Sequence, residues 1–150
     1  MKNIFNKKDT DEVIKRIQTL KSTSPALWGT MNVSQMLAHC NVSYEMIYDN
    51  IHAKPNLLLK LILKLLVKKS VVGEKPYAKS LRTAPAFIIK DSKDFDKEKS
   101  RLIAYIIKTQ ELGDNYFDNK ESNSFGPLTK NEWNNMLYKH LDHHLSQFGA

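Results

Sequence analysis

Residues 132–149 read EWNNMLYKHLDHHLSQFG, and three of the chain's five histidines fall within five of these positions, at 140, 143 and 144. Apolar residues are interleaved with them at helical spacing, so the segment is not a polyhistidine run. Thr129-x-x-Glu132 just upstream is a capping box that starts a helix. At about 100° per residue, with His140 set at zero, Trp133, Leu137, Leu141, Leu145 and Phe148 cluster near about +80°. His144 lies at about +40°, inside that stripe, His140 at its edge, and His143 turns away to about −60°. His140 and His144 are thus one turn apart on a face turned inward, a spacing that lets two imidazoles reach one metal ion.

The remaining sequence sets that helix among others. Asp9-x-x-Glu12 resembles a capping box, with Val13, Ile14, Ile17 and Leu20 following at helical spacing, so a first helix is expected near 10–21. Asn32-x-x-Gln35 caps a second, over about 33–50, with Val33, Met36, Leu37, Cys40, Tyr44, Ile47 and Tyr48 on one stripe and Val42 and Met46 nearly opposite. Apolar on so many sides, it is expected to be buried on more than one face. A third segment spans 57–69 with Lys60, Lys64 and Lys68 along one edge. Its ordinary reading is a core helix, and the alternative is a contact surface for a partner or membrane. Periodicity fails over 71–92, which contains Gly73, Pro76 and Pro85 and reads as a long irregular connection. Helix four is expected over about 94–112, with Phe95, Leu102, Ile103 and Ile106 inward and Gly113 as its stop. A polar loop over 114–126 precedes the last helix. The expected fold class is all-α, a helical bundle of four substantial helices, one extra short helix and a long connection.

Composition bounds the function. The chain has 150 residues, the size of one domain, of which 41% are hydrophobic, and only five each are Gly and Pro, which favours long helices. The net charge is +7, but acids accompany the lysines in stretches such as DSKDFDKEKSR, and neither an RNA-binding signature nor zinc-finger spacing is present, so nucleic acid is not an expected partner. The first residues lack the apolar run of a signal peptide, and a single cysteine cannot form an internal disulfide, which together suggest the cytoplasm. The longest apolar stretch, 57–67, is shorter than the roughly 20 residues a membrane span needs.

Two ligands rarely hold a metal, so a third is sought on another helix among His39, His52, Cys40 and the carboxylates. His52 follows helix two beside Ala53-Lys54-Pro55, a surface position. His39 lies mid-helix and is the better candidate, sharing a second face with Met36, Ser43 and Met46 that must itself be buried. The plain alternative is that His140 and His144 only pack and hydrogen-bond to nearby polar groups. A zincin is excluded, because Leu141 stands where His-Glu-x-x-His needs its general base. Cys40 reads as a small buried residue, not a nucleophile. Trp28 and Trp133 read as packing residues at helix boundaries, or as walls of a pocket.

The motifs WGTMNVSQMLAHC (28–40), LRTAPAFIIKDSKDFDKEKSRL (81–102), FGPLT (125–129) and the closing EWNNMLYKHLDHHLSQFG resemble, in this order and along nearly the whole chain, one branch of the DinB/YfiT-like superfamily, itself of unknown function. The resemblance implies a four-helix bundle with a non-standard connection, often dimeric, and a divalent metal held by one histidine of the second helix and a His-x-x-x-His pair of the last. In this chain those are His39, His140 and His144. Related proteins include transferases that use bacillithiol or mycothiol, and a maleylpyruvate isomerase. Three neutral imidazoles suit Zn, Ni, Fe or Cu, and three protein ligands leave a position open for water or substrate. His143, Gln147, Tyr44, Glu45 and Tyr105 are candidates for orienting ligands or moving protons. The expected function is a metal-dependent transferase joining a low-molecular-weight thiol to a small-molecule substrate. The alternatives are a metal-dependent hydrolase, or a non-catalytic stress-related binding module.

Overall fold

A computed structural model describes residues 1–81 and 83–150, and it is mostly helical. In chain order the elements are α1 (Lys7–Thr19), α2 (Val33–Tyr48), α3 (Leu57–Leu66), α4 (Lys68–Val72), a one-turn 3-10 helix (Pro85–Phe87), α5 (Phe95–Phe117), β1 (Lys120–Ser122), β2 (Gly126–Leu128) and α6 (Lys130–Gln147).

Both full capping boxes form as the sequence predicts. Asn32 Oδ1 accepts from the Gln35 N–H while Gln35 Oε1 accepts from the Asn32 N–H, and Thr129 and Glu132 exchange the same pair of bonds. The expected cap of α1 is corrected. Asn6, not Asp9, starts the helix by accepting from the Lys8 N–H, and α1 ends at Thr19. Asp9 sits in the first turn instead, where its carboxylate accepts from the Asn3 N–H at 2.8 Å.

Helices α2 and α1 each pack against both α5 and α6. Thr10, Val13 and Ile17 recur on the buried face of α1, whereas α2 buries residues on nearly every side, including Met36, Leu37, His39, Cys40 and Tyr44. The expectation that α2 is covered on more than one face therefore holds. Leu102 and Ile106 of α5 and Leu137, Leu141 and Leu145 of α6 complete a common core.

Three expectations between the long helices are revised. The segment 57–69 is not one core helix. It breaks at Val67 into α3 and α4, and α3 has no buried residue at all. Gly113 does leave helical geometry, at φ 71°, ψ 172°, a conformation that suits glycine, but the chain resumes its helix and carries Phe117 into the core. The loop expected over 114–126 is thus a helical turn followed by a short hairpin, with Glu121 opposite Pro127, while the chain stays mostly helical, consistent with the expected all-α class. The connection 71–92 is irregular apart from the end of α4 and the turn Pro85–Phe87, which rests on α2; its Arg82 lies outside the described residues.

Candidate metal centre

His39 projects from the middle of α2 toward α6, which returns His140 and His144 from successive turns. The three rings are steeply inclined to one another, with centroids 4.5 Å (His39–His144), 4.8 Å (His140–His144) and 4.9 Å (His39–His140) apart. One ligand atom from each lies within 4.8 Å of the other two. His39 and His144 are buried and His140 is partly buried. The second face of α2, on which His39 depends, is covered in part, with Met36 fully buried and Ser43 and Met46 half-buried.

The outer nitrogen of each ring has a partner. His39 Nδ1 lies 2.8 Å from the Phe87 carbonyl, which can only accept, so Nδ1 carries the proton and Nε2 is bare in the neutral ring. His144 Nδ1 donates to Gln147 Oε1 at 2.8 Å. The amide orientation of Gln147 is fixed, because its Nε2 donates to the Trp28 carbonyl at 2.7 Å. His140 Nδ1 meets Ser43 Oγ at 3.1 Å, a hydroxyl that can give or take a proton. With Nδ1 held outward on all three rings, Nε2 faces inward.

His39 Nε2 and His140 Nε2 are 2.9 Å apart. Two bare lone pairs cannot sit so close. Without an ion, His140 must place its proton there, with Ser43 donating to His140 Nδ1. A divalent cation is the other way to satisfy both nitrogens. The Ser43 hydroxyl then turns to accept from His140 Nδ1. The donor set fits such an ion: three imidazoles, each oriented by a hydrogen bond on its far side.

Electrostatics keep the rings ligand-ready. Burial lowers the pKa of His39, opposed by its bond to Phe87. Burial first, and then the neighbouring rings His144 and His39, hold His140 well below the ordinary imidazole range. Burial and His39 push His144 down to about 3. Neutral imidazoles, the form that binds metal, persist well below neutral pH.

The other sequence candidates separate cleanly. His143 points away from the trio, its ring 5.8 Å from Trp28 and 5.7 Å from Tyr77. With Trp28, Tyr77, Lys79 and Lys139 it lines a cavity of about 490 Å³. Because the three clustered histidines are not among the residues lining it, the cavity adjoins the cluster across His143, whose ring is 5.0 Å from that of His144. Gln147 reaches the cluster directly. Glu45 instead pairs with Arg101 and, at 2.6 Å, accepts a hydrogen bond from His52 Nε2, so that His52 is partly buried and not a surface residue. Tyr105 donates to Asp49, and the fully buried Tyr44 stacks on it at 5.6 Å. Cys40 is buried beside Met36, and burial raises its thiol pKa, so it is an inert core residue. Trp133 is a packing anchor, buried, with Nε1 donating to the Lys120 carbonyl at 3.2 Å, whereas Trp28 walls the cavity.

Sequence reasoning did not single out Phe87 and reached Ser43 only as a neighbour of His39 on the helix. The Phe87 contribution is a backbone carbonyl, which leaves no trace in residue type. Gly29 reads in the sequence as a break before α2, and the structure gives it a second role. It sits at φ +82°, and a Cβ there would come 2.5 Å from Gln147 Nε2, so only glycine lets the chain pass the side chain that orients His144.

No curated protein and no solved structure matches the chain. The family described as Protein of unknown function (DUF1569) matches residues 2–150, and the histidine cluster and all four long helices lie inside that match: the chain belongs to the DUF1569 family.

Proposed function

We propose that the chain is a single DinB/YfiT-type four-helix-bundle domain in which His39, His140 and His144 hold one divalent ion, Zn, Ni or Fe, through Nε2. Its activity is transfer of a low-molecular-weight thiol to a small electrophile. The observation that carries the metal reading is that one ring nitrogen from each of the three histidines lies within 4.8 Å of the other two, while each ring is held at Nδ1 by a different group. The 2.9 Å pair of His39 and His140 is satisfied equally by an N–H···N hydrogen bond, so the reading rests on the third ring, His144, being brought to the same point.

An ion with an open position lowers the pKa of a bound thiol or water and supplies a nucleophile near neutral pH. The chain's own residues do the rest. Phe87, Ser43 and Gln147 hold the ligand rings. Trp28 and Tyr77 offer apolar walls to a substrate in the adjoining cavity, whose charged lining is mixed, with Lys79 and Lys139 beside Glu74 and Asp142. Burial lowers the pKa of His143, opposed by the nearby Asp142 carboxylate, and the net lowering favours the neutral ring, which is able to take a proton. In the transfer, the thiol gives up its S–H proton, sulfur bonds to the electrophilic carbon, and the displaced group leaves with the carbon's old bonding pair. His143 is the proton acceptor the chain offers at the cavity.

Metal content of tag-free protein tests the first step. The wild type should carry close to one ion per chain, His144→Ala should lose most of it, and His143→Ala should keep it, each variant confirmed folded by circular dichroism. A metal-free wild type, or an empty His143→Ala beside a loaded His144→Ala, would overturn the assignment. Loaded protein should then conjugate a bimane-type electrophile with at least one low-molecular-weight thiol. Hydrolysis of esters or amides in thiol-free buffer, with no conjugation, would instead make it a hydrolase.

A further inference from the structure

Helix α3, LLLKLILKLL, is the most apolar stretch of the chain and lies on the outside of the molecule. On its wheel Leu63 and, one turn on, Val67 face the protein, both partly buried and packed against the core. Lys60, beside them, pairs with Glu121 of the hairpin. Three contacts therefore seat the helix. The opposite side carries Leu58, Leu61, Ile62, Leu65 and Leu66 across about 140° of arc, with Leu57 and Leu59 at its margins. Leu57 is 88% exposed, Leu66 77% and Leu65 70%. A contiguous apolar surface of this kind marks an interaction site.

Charge identifies what covers it. Residues 54–75 hold six lysines, at 54, 60, 64, 68, 69 and 75, against the single acid Glu74, which is a net +5 of the chain's +7. Counting Glu121 and Glu132, which pair with Lys60 and Lys68, this region still keeps a net +3 beside the apolar helix. A second copy of the chain suits it poorly. A twofold contact would bring the lysine margins together, and the two acids that face this region, Glu121 and Glu132, already pair with Lys60 and Lys68. No helix among the described residues is long and apolar enough to cross a membrane. A ten-residue helix, apolar outward and lysine-edged, instead lies in the plane of a bilayer surface.

We propose that α3 is a membrane-docking helix that inserts its outer leucines among the acyl chains of an anionic bilayer, with Lys64 and Lys69 against the lipid headgroups. Each lysine near such a surface is worth roughly a five-fold gain in partitioning, on the order of thirty-fold for the pair.

Co-sedimentation of the full chain with vesicles tests this. The wild type should sediment with phosphatidylcholine mixed with phosphatidylglycerol, and far less with phosphatidylcholine alone or at high salt. Lys64→Gln with Lys69→Gln should weaken binding on the order of thirty-fold, and Leu58→Ser with Leu65→Ser should abolish it. All four side chains are exposed, so both variants should keep the wild-type circular dichroism spectrum. Failure of the wild type to sediment, equal binding to both vesicle types, or variants that bind like wild type would each overturn the proposal. So would a dimer by light scattering that Leu58→Ser with Leu65→Ser converts to monomer, because a second copy would then cover the helix.

Discussion

Replacing Gln147 with Leu removes both hydrogen bonds of its amide and keeps most of its volume. Gln147 is 3% exposed, so its partners, the His144 Nδ1–H and the Trp28 carbonyl, are left without a replacement in a dry place. Each unsatisfied buried group costs about 1–3 kcal/mol, so with two such groups the metal-free variant should lose on the order of 2–6 kcal/mol of stability. The metal effect is separate. Loss of a group that orients a ligand histidine typically weakens binding roughly 10–100-fold, about 1.4–2.8 kcal/mol. Gln147→Glu is the control: a carboxylate still accepts from His144 but cannot donate to Trp28. It should lose stability yet stay within several-fold of wild-type affinity. Chelator-stripped proteins would be titrated with zinc against a chromophoric competitor, and their stabilities measured by urea unfolding. A folded Gln147→Leu protein that binds zinc as tightly as wild type would show that the bond to His144 does not orient a metal ligand.

Gly29→Ala should act through the same side chain. A left-handed backbone costs a non-glycine residue about 1–2 kcal/mol, and the new methyl must displace the Gln147 amide, so zinc affinity should fall with stability and combine less than additively with Gln147→Leu in the same titration. The pH dependence of the metal-free protein follows from the depressed histidines. Below the ordinary imidazole pKa of about 6.5 the unfolded chain takes up protons that the folded chain refuses, so stability present at neutral pH should be lost as pH falls, continuing toward about 3 for His144. Urea midpoints in the presence of a chelator should fall steadily from about pH 7 to about pH 5, with a shallower slope in His144→Ala.

The parts of this structure legible in the sequence are those decided within one or two helical turns. The boxes at Asn32 and Thr129 are closed by residues three positions away, and His140 and His144 are set on one face by helix geometry alone. Asp9 misled because Asn6, three residues earlier, competes for the same role and Asp9 has a use elsewhere. In α3 the apolar content signals a hydrophobic contact without saying with what, so an outward-facing helix reads like a core one. Gly113 was recognisable as a break, but whether a chain turns away or resumes its helix depends on what Phe117 can reach. The Phe87 carbonyl is placed by the tertiary path of an irregular connection, and no local pattern encodes that.

Residue 147 also ties down a distant segment. Its backbone carbonyl accepts from the Leu27 N–H at 2.8 Å, while its side chain holds the Trp28 carbonyl on one side and His144 on the other. The loop ahead of α2 and the end of α6 are therefore bolted together at the same residue that orients a ring of the cluster. Opening the loop unlatches His144, and disturbing His144 loosens the loop, so the two form one cooperative unit of local unfolding. An ion held by the proposed ligands should then be felt some 120 residues away in sequence, and the expected outcome is slower solvent exchange at the Leu27 amide when zinc is added to the chelator-stripped protein.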